Sequence, residues 1–107
     1  MPKRFTDTLH RLHGTIAERK DADPKSSYTA QLLAEGVERV AKKFGEEAIE
    51  LVIAAAGGNP QAAEAEAADL IYHWLVLLAA CGVSLDAVAA KLAAREGTSG
   101  IAEKAGR

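Results

Sequence analysis

Two acidic clusters lie inside stretches that are otherwise apolar, and their side chains are the ones best suited to chemistry. In sequence they are Glu46-Glu47-Ala48-Ile49-Glu50 and Glu66-Ala67-Ala68-Asp69. Residues three or four positions apart in a helix lie on one face, about 5–6 Å apart at Cβ, so Glu47 is a neighbour of Glu50. Glu66 and Asp69 are neighbours for the same reason. Carboxylates this close repel each other, and partial burial strengthens the repulsion or forces protonation. A bound cation would remove this cost.

A magnesium ion is the cation that these acids would suit best. Mg²⁺ takes oxygen ligands, keeps several waters, and is usually held by a few carboxylates while substrate phosphates fill other positions. Two facing helices that contribute two carboxylates each would form such a site. Iron and manganese sites in helical proteins use Glu-x-x-His instead, whereas Glu66 is followed three residues later by Asp69, and His73 lies four beyond Asp69. The sequence therefore favours magnesium over a redox di-metal centre.

The alternative is that the acids only solvate a helix face, as acidic pairs on alanine-rich helices usually do. Two features favour a site. Each cluster is followed by a strongly apolar stretch, residues 51–53 and 70–78, and neither cluster has a Lys or Arg four residues later. One helical row begins with acids and ends in residues typical of a core: Glu66, Asp69, His73, Leu77 and Ala80. We expect the acids to face inward or toward a cleft.

Hydrophobic spacing and capping signals predict an all-α fold, an antiparallel helical bundle of four to five helices. The predicted helices cover residues 5–20, 28–56, 60–81 and 85–95, and a break at Gly36 leaves residues 28–35 as a short separate helix. Ser26 or Ser27 caps the short helix and Ser84 the last one. The segment Gly57-Gly58-Asn59-Pro60 predicts the turn between the two long helices, and Gly82 ends the second of them. This short connection makes the long helices antiparallel, which brings the acidic clusters face to face within one or two turns.

Length and composition limit the possible functions. We expect one domain over residues 1–107, with 97–107 as a flexible tail. The chain is 49% hydrophobic but only 5% aromatic, so its core buries little area and a homodimer would complete it. A net charge of −2 with both signs interspersed gives no reason to expect nucleic-acid binding. No stretch has about 18 uninterrupted apolar residues, and the N-terminus lacks a secretory signal, so we expect no membrane contact and a cytoplasmic protein. Cys81, the single cysteine, is expected to be a buried free thiol.

The chain resembles the phosphoribosyl-ATP pyrophosphohydrolase family of the MazG-like, all-α nucleoside triphosphate pyrophosphohydrolases. The general pattern of that superfamily is EExxE followed by ExxD, which both clusters match. Four longer segments resemble the narrower family in the same order: Ser27-Tyr28-Thr29-Ala30-x-Leu32, Lys43-x-Gly45-Glu46-Glu47-Ala48-x-Glu50-Leu51, Glu66-Ala67-Ala68-Asp69-Leu70-x-Tyr72-His73 and Arg95-x-Gly97-x-Ser99-Gly100. The resemblance covers nearly the whole chain.

The resemblance implies Mg²⁺-dependent hydrolysis of N1-(5-phosphoribosyl)-ATP between its α- and β-phosphates, which gives the monophosphate and pyrophosphate in histidine biosynthesis. It implies that the metal ligands are Glu47, Glu50, Glu66 and Asp69. Glu46 would orient or deprotonate the attacking water. Family enzymes are sometimes fused to the cyclohydrolase of the next step, so we expect here a handover to a separate cyclohydrolase.

Basic and aromatic residues are candidates to bind the substrate. Lys43 lies one turn before Glu47 and could meet a phosphate at the metal, whereas Lys42 points about 100° away and is expected to be solvated. His73 could hydrogen-bond Asp69, bind phosphate or be a satisfied core histidine. The remaining candidates are Tyr72 beside it and, for the phosphoribosyl phosphate or the pyrophosphate, Lys91, Arg95 and Lys104.

Two other functions stay open. The acids alone do not separate this activity from that of a housekeeping pyrophosphohydrolase acting on free or damaged nucleoside triphosphates, although the flanking segments favour phosphoribosyl-ATP. A non-catalytic helical dimerisation module with a solvated acidic face would show no Mg²⁺-dependent thermal shift.

Overall fold

The structure is a computed structural model that describes residues 2–97, and those residues form five α-helices without a strand. The helices are α1 (Pro2–Glu18), α2 (Tyr28–Glu35), α3 (Val37–Ala56), α4 (Pro60–Cys81) and α5 (Leu85–Ala93), with a 3-10 turn at Arg19–Asp21 after α1. The predicted all-α class is confirmed. The expectations for Lys104 and most of the tail fall on residues outside the described range.

Three side-chain caps begin the helices where the sequence predicted them. The Ser27 hydroxyl accepts a hydrogen bond from the amide of residue 30 at 3.2 Å and starts α2. The Asn59 side chain accepts from the amide of residue 62 at 3.1 Å, with Pro60 as the first residue of α4. Ser84 accepts from the amide of residue 87 at 3.0 Å and starts α5. Each cap satisfies an amide that has no partner within its helix.

Gly36 and Gly82 both have a positive φ, and each ends a helix. Gly36 has a φ of 97°, which breaks the long helical pattern into α2 and α3 as predicted. Gly82 has a φ of 72°, in the left-handed region that favours glycine, and it ends α4 at the predicted position. The last helix ends at Ala93, two residues before the predicted boundary, and the first ends at Glu18, where the chain tightens into the 3-10 turn.

The core lies where α1 and α2 cover one half of the α3–α4 pair. Helices α3 and α4 make the most extensive contact in the described chain, α1 packs mainly on α4, and α2 packs mainly on α3 and the 3-10 turn. Each of the four helices contributes to the central cluster, which consists of Ile16, Leu32, Val40, Leu75, Val76 and Ala79. Full burial of one such aliphatic side chain contributes about 1.5–3 kcal/mol.

Two apolar expectations are wrong for the single chain. The pattern in and after the first acidic cluster is typical of a buried helix, yet Ile49, Val52 and Ile53 are 61%, 64% and 62% exposed, because no other described helix covers that face of α3. Cys81 is exposed as well. It follows the buried Ala79 by two positions, a rotation of about 200° that turns its side chain away from the core.

Among residues 2–97, no single helix is both long and apolar enough to cross a membrane.

Candidate active site

Three carboxylates from two helices meet at one place in the α3–α4 pair. Glu47 comes from α3, Glu66 and Asp69 come from α4, and one oxygen from each lies within 4.8 Å of the others. We call this group the carboxylate trio. The helices meet in this register because only three residues, Gly57 to Asn59, connect them. The hairpin therefore brings the two acidic clusters together, as the sequence predicted.

Glu66 has a raised pKa because it is partly desolvated and lies among other carboxylates. Its pKa is raised above the ordinary value of 4.5, first by loss of hydration and then by the charges of Glu50, Asp69 and Glu47. Glu66 and Glu47 are half-buried, whereas Asp69 is exposed. Glu50 is not one of the three converging ligands within residues 2–97, but its charge acts on Glu66. The site thus concentrates negative charge that a cation would relieve.

The donor set of the trio fits a hard divalent cation. All of its ligand atoms are carboxylate oxygens, which Mg²⁺ prefers, and no thiol or imidazole belongs to the converging group in the described chain. One side of the trio is open to solvent at Asp69, so water and phosphate oxygens could complete the coordination. The residues present therefore fit magnesium.

Lys43 is the cation closest to the trio. Its Nζ lies 3.3 Å from Oε1 of Glu47, one helical turn further along α3. The hydrogen bond to Glu47 raises the pKa of Lys43, with further contributions from the charges of Tyr28 and Glu46, so the ammonium group stays charged. Lys43 therefore lies at the trio, where the sequence expected a phosphate contact.

His73 is buried and makes hydrogen bonds through both ring nitrogens. Its Nδ1 donates to the backbone carbonyl of Asp69 at 2.8 Å, whereas the sequence had allowed a bond to the Asp69 side chain. Nε2 lies 3.2 Å from the hydroxyl of Tyr28. In the neutral imidazole Nε2 must accept, so Tyr28 donates to it. Among the alternatives kept open for His73, this geometry matches the satisfied core histidine.

The neighbouring Tyr72 also connects α4 to α2. Its hydroxyl is hydrogen-bonded to the hydroxyl of Thr29, which is buried. Together with the bond between Tyr28 and His73, it fixes the short helix α2 to α4. The positions of α2 and of the acids on α4 are therefore coupled.

A pocket of about 210 Å³ lies between α2 and α3, beside the trio. We call it the α2–α3 pocket, and its polar lining consists of Tyr28, Gln31, Glu35, Arg39, Lys42, Lys43 and Glu46. Arg39 was not among the predicted site residues. Lys42 is exposed, as expected, but its side chain also lines this pocket. The spacing from Arg39 to Lys43, one turn on the same helix face, was a signal that could have identified Arg39.

The cations in this pocket differ in how they are paired. Arg39 lies 3.5 Å from Glu35, and Lys43 is paired with Glu47. Lys42 makes no ion pair with any carboxylate in the part of the chain that the structure describes. Lys42 is therefore the positive charge most available to an incoming anion.

Two of the other predicted contacts lie away from the trio. Cys81 lies twelve positions after Asp69 in α4, about 18 Å along the helix axis, and α5 then leaves at 109° to α4. Lys91 lies on α5 and Arg95 just beyond it, and both are exposed. Within one chain, the structure does not bring either residue to the carboxylates.

The chain is similar to proteins of one named family. A family model described as phosphoribosyl-ATP pyrophosphohydrolase matches residues 9–96. A protein of Caulobacter vibrioides named phosphoribosyl-ATP pyrophosphatase is 63% identical over 107 residues, which is 100% of this chain and 99% of the relative. Relatives of the same name in Cereibacter sphaeroides and Roseobacter denitrificans are 60% identical over 99 residues and 58% identical over 100 residues. The first covers 92% of this chain and 96% of the relative, the second 94% and 95%.

Proposed function

The chain belongs to the phosphoribosyl-ATP pyrophosphohydrolase family, and from this premise we propose that it hydrolyses phosphoribosyl-ATP between the α- and β-phosphates. The products are the monophosphate and pyrophosphate, in a step of histidine biosynthesis. The observation that carries the proposal is the carboxylate trio beside a pocket lined by three cations. Acids that hold a metal next to bases that receive phosphates are what phosphoryl chemistry on a polyphosphate requires.

We propose Mg²⁺ as the cofactor, held by Glu47, Glu66 and Asp69. Glu50 is the fourth candidate, since among the neighbouring charges it contributes most to the raised pKa of Glu66. When bound, magnesium supplies positive charge that stabilises negative charge on phosphate oxygens and makes a coordinated water more acidic. The three carboxylates would hold it at the open side of the hairpin, where a polyphosphate can approach.

The protein's own residues would orient the reactants. Lys42 and Lys43 would receive phosphate oxygens, with Lys43 exchanging part of its contact with Glu47 for the substrate. Glu46, which is exposed and lines the same pocket, would accept a proton from the attacking water. The water oxygen then bonds to phosphorus, and the bridging oxygen leaves with pyrophosphate or with the monophosphate, depending on which phosphorus is attacked.

We further propose that two copies of the chain form a homodimer through the exposed face of α3. Ile49, Val52 and Ile53 are spaced as one helical stripe, and each is more than 60% exposed. The radius of gyration is 15.8 Å, against about 13 Å for a compact domain of this length. A second copy packed on this stripe would bury it. It would also offer a route by which Lys91 or Arg95 of one subunit could approach the trio of the other.

The proposed reaction is tested by measuring pyrophosphate release from phosphoribosyl-ATP with and without Mg²⁺. We expect turnover that requires the metal, and its loss in Asp69→Asn. Glu64→Gln is the matched control, because Glu64 is an exposed acid of the same helix outside the trio, and it should keep full activity. Hydrolysis of dUTP or other triphosphates in preference to phosphoribosyl-ATP would instead identify a housekeeping pyrophosphohydrolase. No activity and no Mg²⁺-dependent thermal shift would identify a non-catalytic module.

A further inference from the structure

A second cavity, of about 340 Å³, lies on the other side of Tyr28. It is formed by α1, the 3-10 turn and the start of α2, and we call it the α1–α2 pocket. Its polar and aromatic lining consists of Thr15, Arg19, Ser27, Tyr28, Thr29 and Tyr72. Tyr28 also lines the α2–α3 pocket, so the two cavities adjoin across one side chain. Its volume is in the lower range of small-molecule sites, about 300–1,000 Å³.

The two pockets differ in charge. Three cations and two carboxylates line the α2–α3 pocket, whereas Arg19 is the one charged residue in the lining of the α1–α2 pocket. The Arg19 side chain is exposed, and across residues 2–97 it makes no ion pair with a carboxylate. An exposed guanidinium group without a carboxylate partner is well suited to hold a single phosphate through paired hydrogen bonds.

The rest of the α1–α2 pocket suits a sugar and a base. Thr15 offers a hydroxyl from α1, and Leu12 and Ile16 add apolar surface. The ring of Tyr28 is 51% exposed, and its hydroxyl is tied to His73, which fixes the ring against the cavity. A fixed, exposed aromatic ring is a surface on which a nucleobase can stack.

The two pockets are connected to the trio by different contacts. Lys43 of the α2–α3 pocket is ion-paired with Glu47, a member of the trio. The α1–α2 pocket is connected to the trio less directly, through Tyr28, His73 and the backbone of Asp69. Phosphates next to the scissile bond therefore have their nearest cations in the α2–α3 pocket.

We propose that the α1–α2 pocket binds the 5-phosphoribosyl end of the substrate, with Arg19 on its phosphate, while the α2–α3 pocket binds the phosphates released as pyrophosphate. This inference rests on the proposed function. Phosphoribosyl-ATP has two anionic ends separated by a nucleoside, and the chain has two cationic pockets separated by Tyr28. ATP has only one of those ends, so Arg19 becomes a residue that distinguishes the substrate from ATP.

The test compares Arg19→Gln with Lys42→Gln in Mg²⁺-dependent pyrophosphate release. For Arg19→Gln we expect the KM for phosphoribosyl-ATP to rise by about tenfold or more, because a charged hydrogen-bonded pair is lost, with kcat within about twofold. The Ki of ATP as a competitive inhibitor should stay unchanged. Lys42→Gln should raise both the KM and the Ki of ATP. Arg11→Gln, which changes an exposed arginine of α1 outside both pockets, is the matched control.

Several results would overturn the subsite. An active wild-type enzyme with an unchanged KM in Arg19→Gln would refute it and leave the proposed function standing. An equal rise in KM and in the Ki of ATP would place Arg19 on the triphosphate, the reverse arrangement. A wild-type protein that does not hydrolyse phosphoribosyl-ATP would refute both proposals. Should Arg19→Gln fail to fold, Thr15→Glu places a negative charge in the same cavity from α1 and should raise the KM in the same selective way.

Discussion

The two halves of the α3–α4 hairpin have similar aliphatic side chains but very different surroundings. In the half that α1 and α2 cover, Val40 and Leu75 are 1% and 0% exposed. In the half next to the connecting turn, Val52 and Ile53 are more than 60% exposed. The carboxylate trio lies between these halves. The covered half therefore supplies much of the core of the single chain, and the open half leaves an apolar surface that the proposed homodimer would bury.

The boundary between the covered and open halves accounts for the position of the carboxylate trio. At the edge of the core, Glu47 and Glu66 lose part of their hydration, which raises the pKa of Glu66, while the open side leaves room for a cation and a polyphosphate. A trio deeper in the core would be protonated, and one on the outer face would be fully hydrated and hold a metal weakly. Substitutions in the two halves should therefore separate activity from stability.

The largest expected effect is the loss of activity in Glu66→Gln. Removing a proposed ligand should reduce kcat for phosphoribosyl-ATP by at least about 10²–10³-fold, comparable to the loss of a key electrostatic group in other enzymes. The same change relieves repulsion within the trio, so the thermal midpoint without Mg²⁺ should be equal to or higher than that of the wild type. Pyrophosphate release and thermal unfolding measure the two properties. A variant that keeps full turnover would contradict the assignment of the ligand.

Leu75→Ala tests the covered half. Leu75 is fully buried, so we expect the free energy of unfolding to fall by about 2–5 kcal/mol, through lost apolar burial and the cavity left behind. Urea denaturation followed by circular dichroism measures the change, in Mg²⁺-free buffer. Leu92→Ala is the control, because this side chain is 60% exposed. It should lower the free energy of unfolding much less than Leu75→Ala.

Ile53→Lys tests the open half. A charged side chain in the exposed stripe should raise the dissociation constant of the proposed homodimer by about 10–100-fold, since apolar burial in the interface is lost. Sedimentation measures the dissociation constant, and helical content should be retained. Ala41→Lys, at an exposed neutral position in the first half of α3, adds the same single positive charge and is the control. Unchanged association in Ile53→Lys would exclude this face as the interface.

The smallest expected effect is a dependence of stability on pH that comes from Glu66. Because its folded-state pKa is raised, its contribution is fully present below the unfolded pKa and is lost as pH rises through the folded pKa. Without Mg²⁺, the thermal midpoint should therefore fall as pH increases above about 4.5, relative to Glu66→Gln, which lacks this titration. Saturating Mg²⁺ should reverse the sign, since it favours the carboxylate. Identical pH profiles for the two proteins would show that the folded-state pKa of Glu66 is not raised.

Most of the helical framework could be predicted because its signals are local. Ser27, Asn59 and Ser84 cap helices through their own side chains, and Gly36 and Gly82 take a φ that other residues avoid. The meeting of the acidic clusters followed from one short connection. None of these features depends on how distant parts of the chain pack.

The carboxylate set, the two cavities and the exposed stripe could not be predicted, because they depend on how the helices pack against each other. The rotation of α3 against α4 decides which carboxylates converge, and helical spacing alone did not separate Glu47 from Glu50. The cavities on either side of Tyr28 exist because α2 folds back over α3 and is fixed to α4 through His73. Arg19 is far from the acids in sequence and gave no signal, whereas Arg39 lies one turn before Lys43 and could have been identified from that spacing. The exposure of Ile53 was missed because a hydrophobic pattern does not reveal whether the surface that covers it belongs to the same chain.

The most direct test of the account is a titration of the protein with Mn²⁺, a paramagnetic substitute for Mg²⁺, followed by nuclear magnetic resonance of the backbone amides. We expect broadening to be centred on residues 47, 66 and 69, to be competed by Mg²⁺, and to be absent from that region in Asp69→Asn. Broadening spread evenly over other exposed acids, such as Glu18 and Glu38, with no preference for the trio, would contradict the claim that these carboxylates hold the metal.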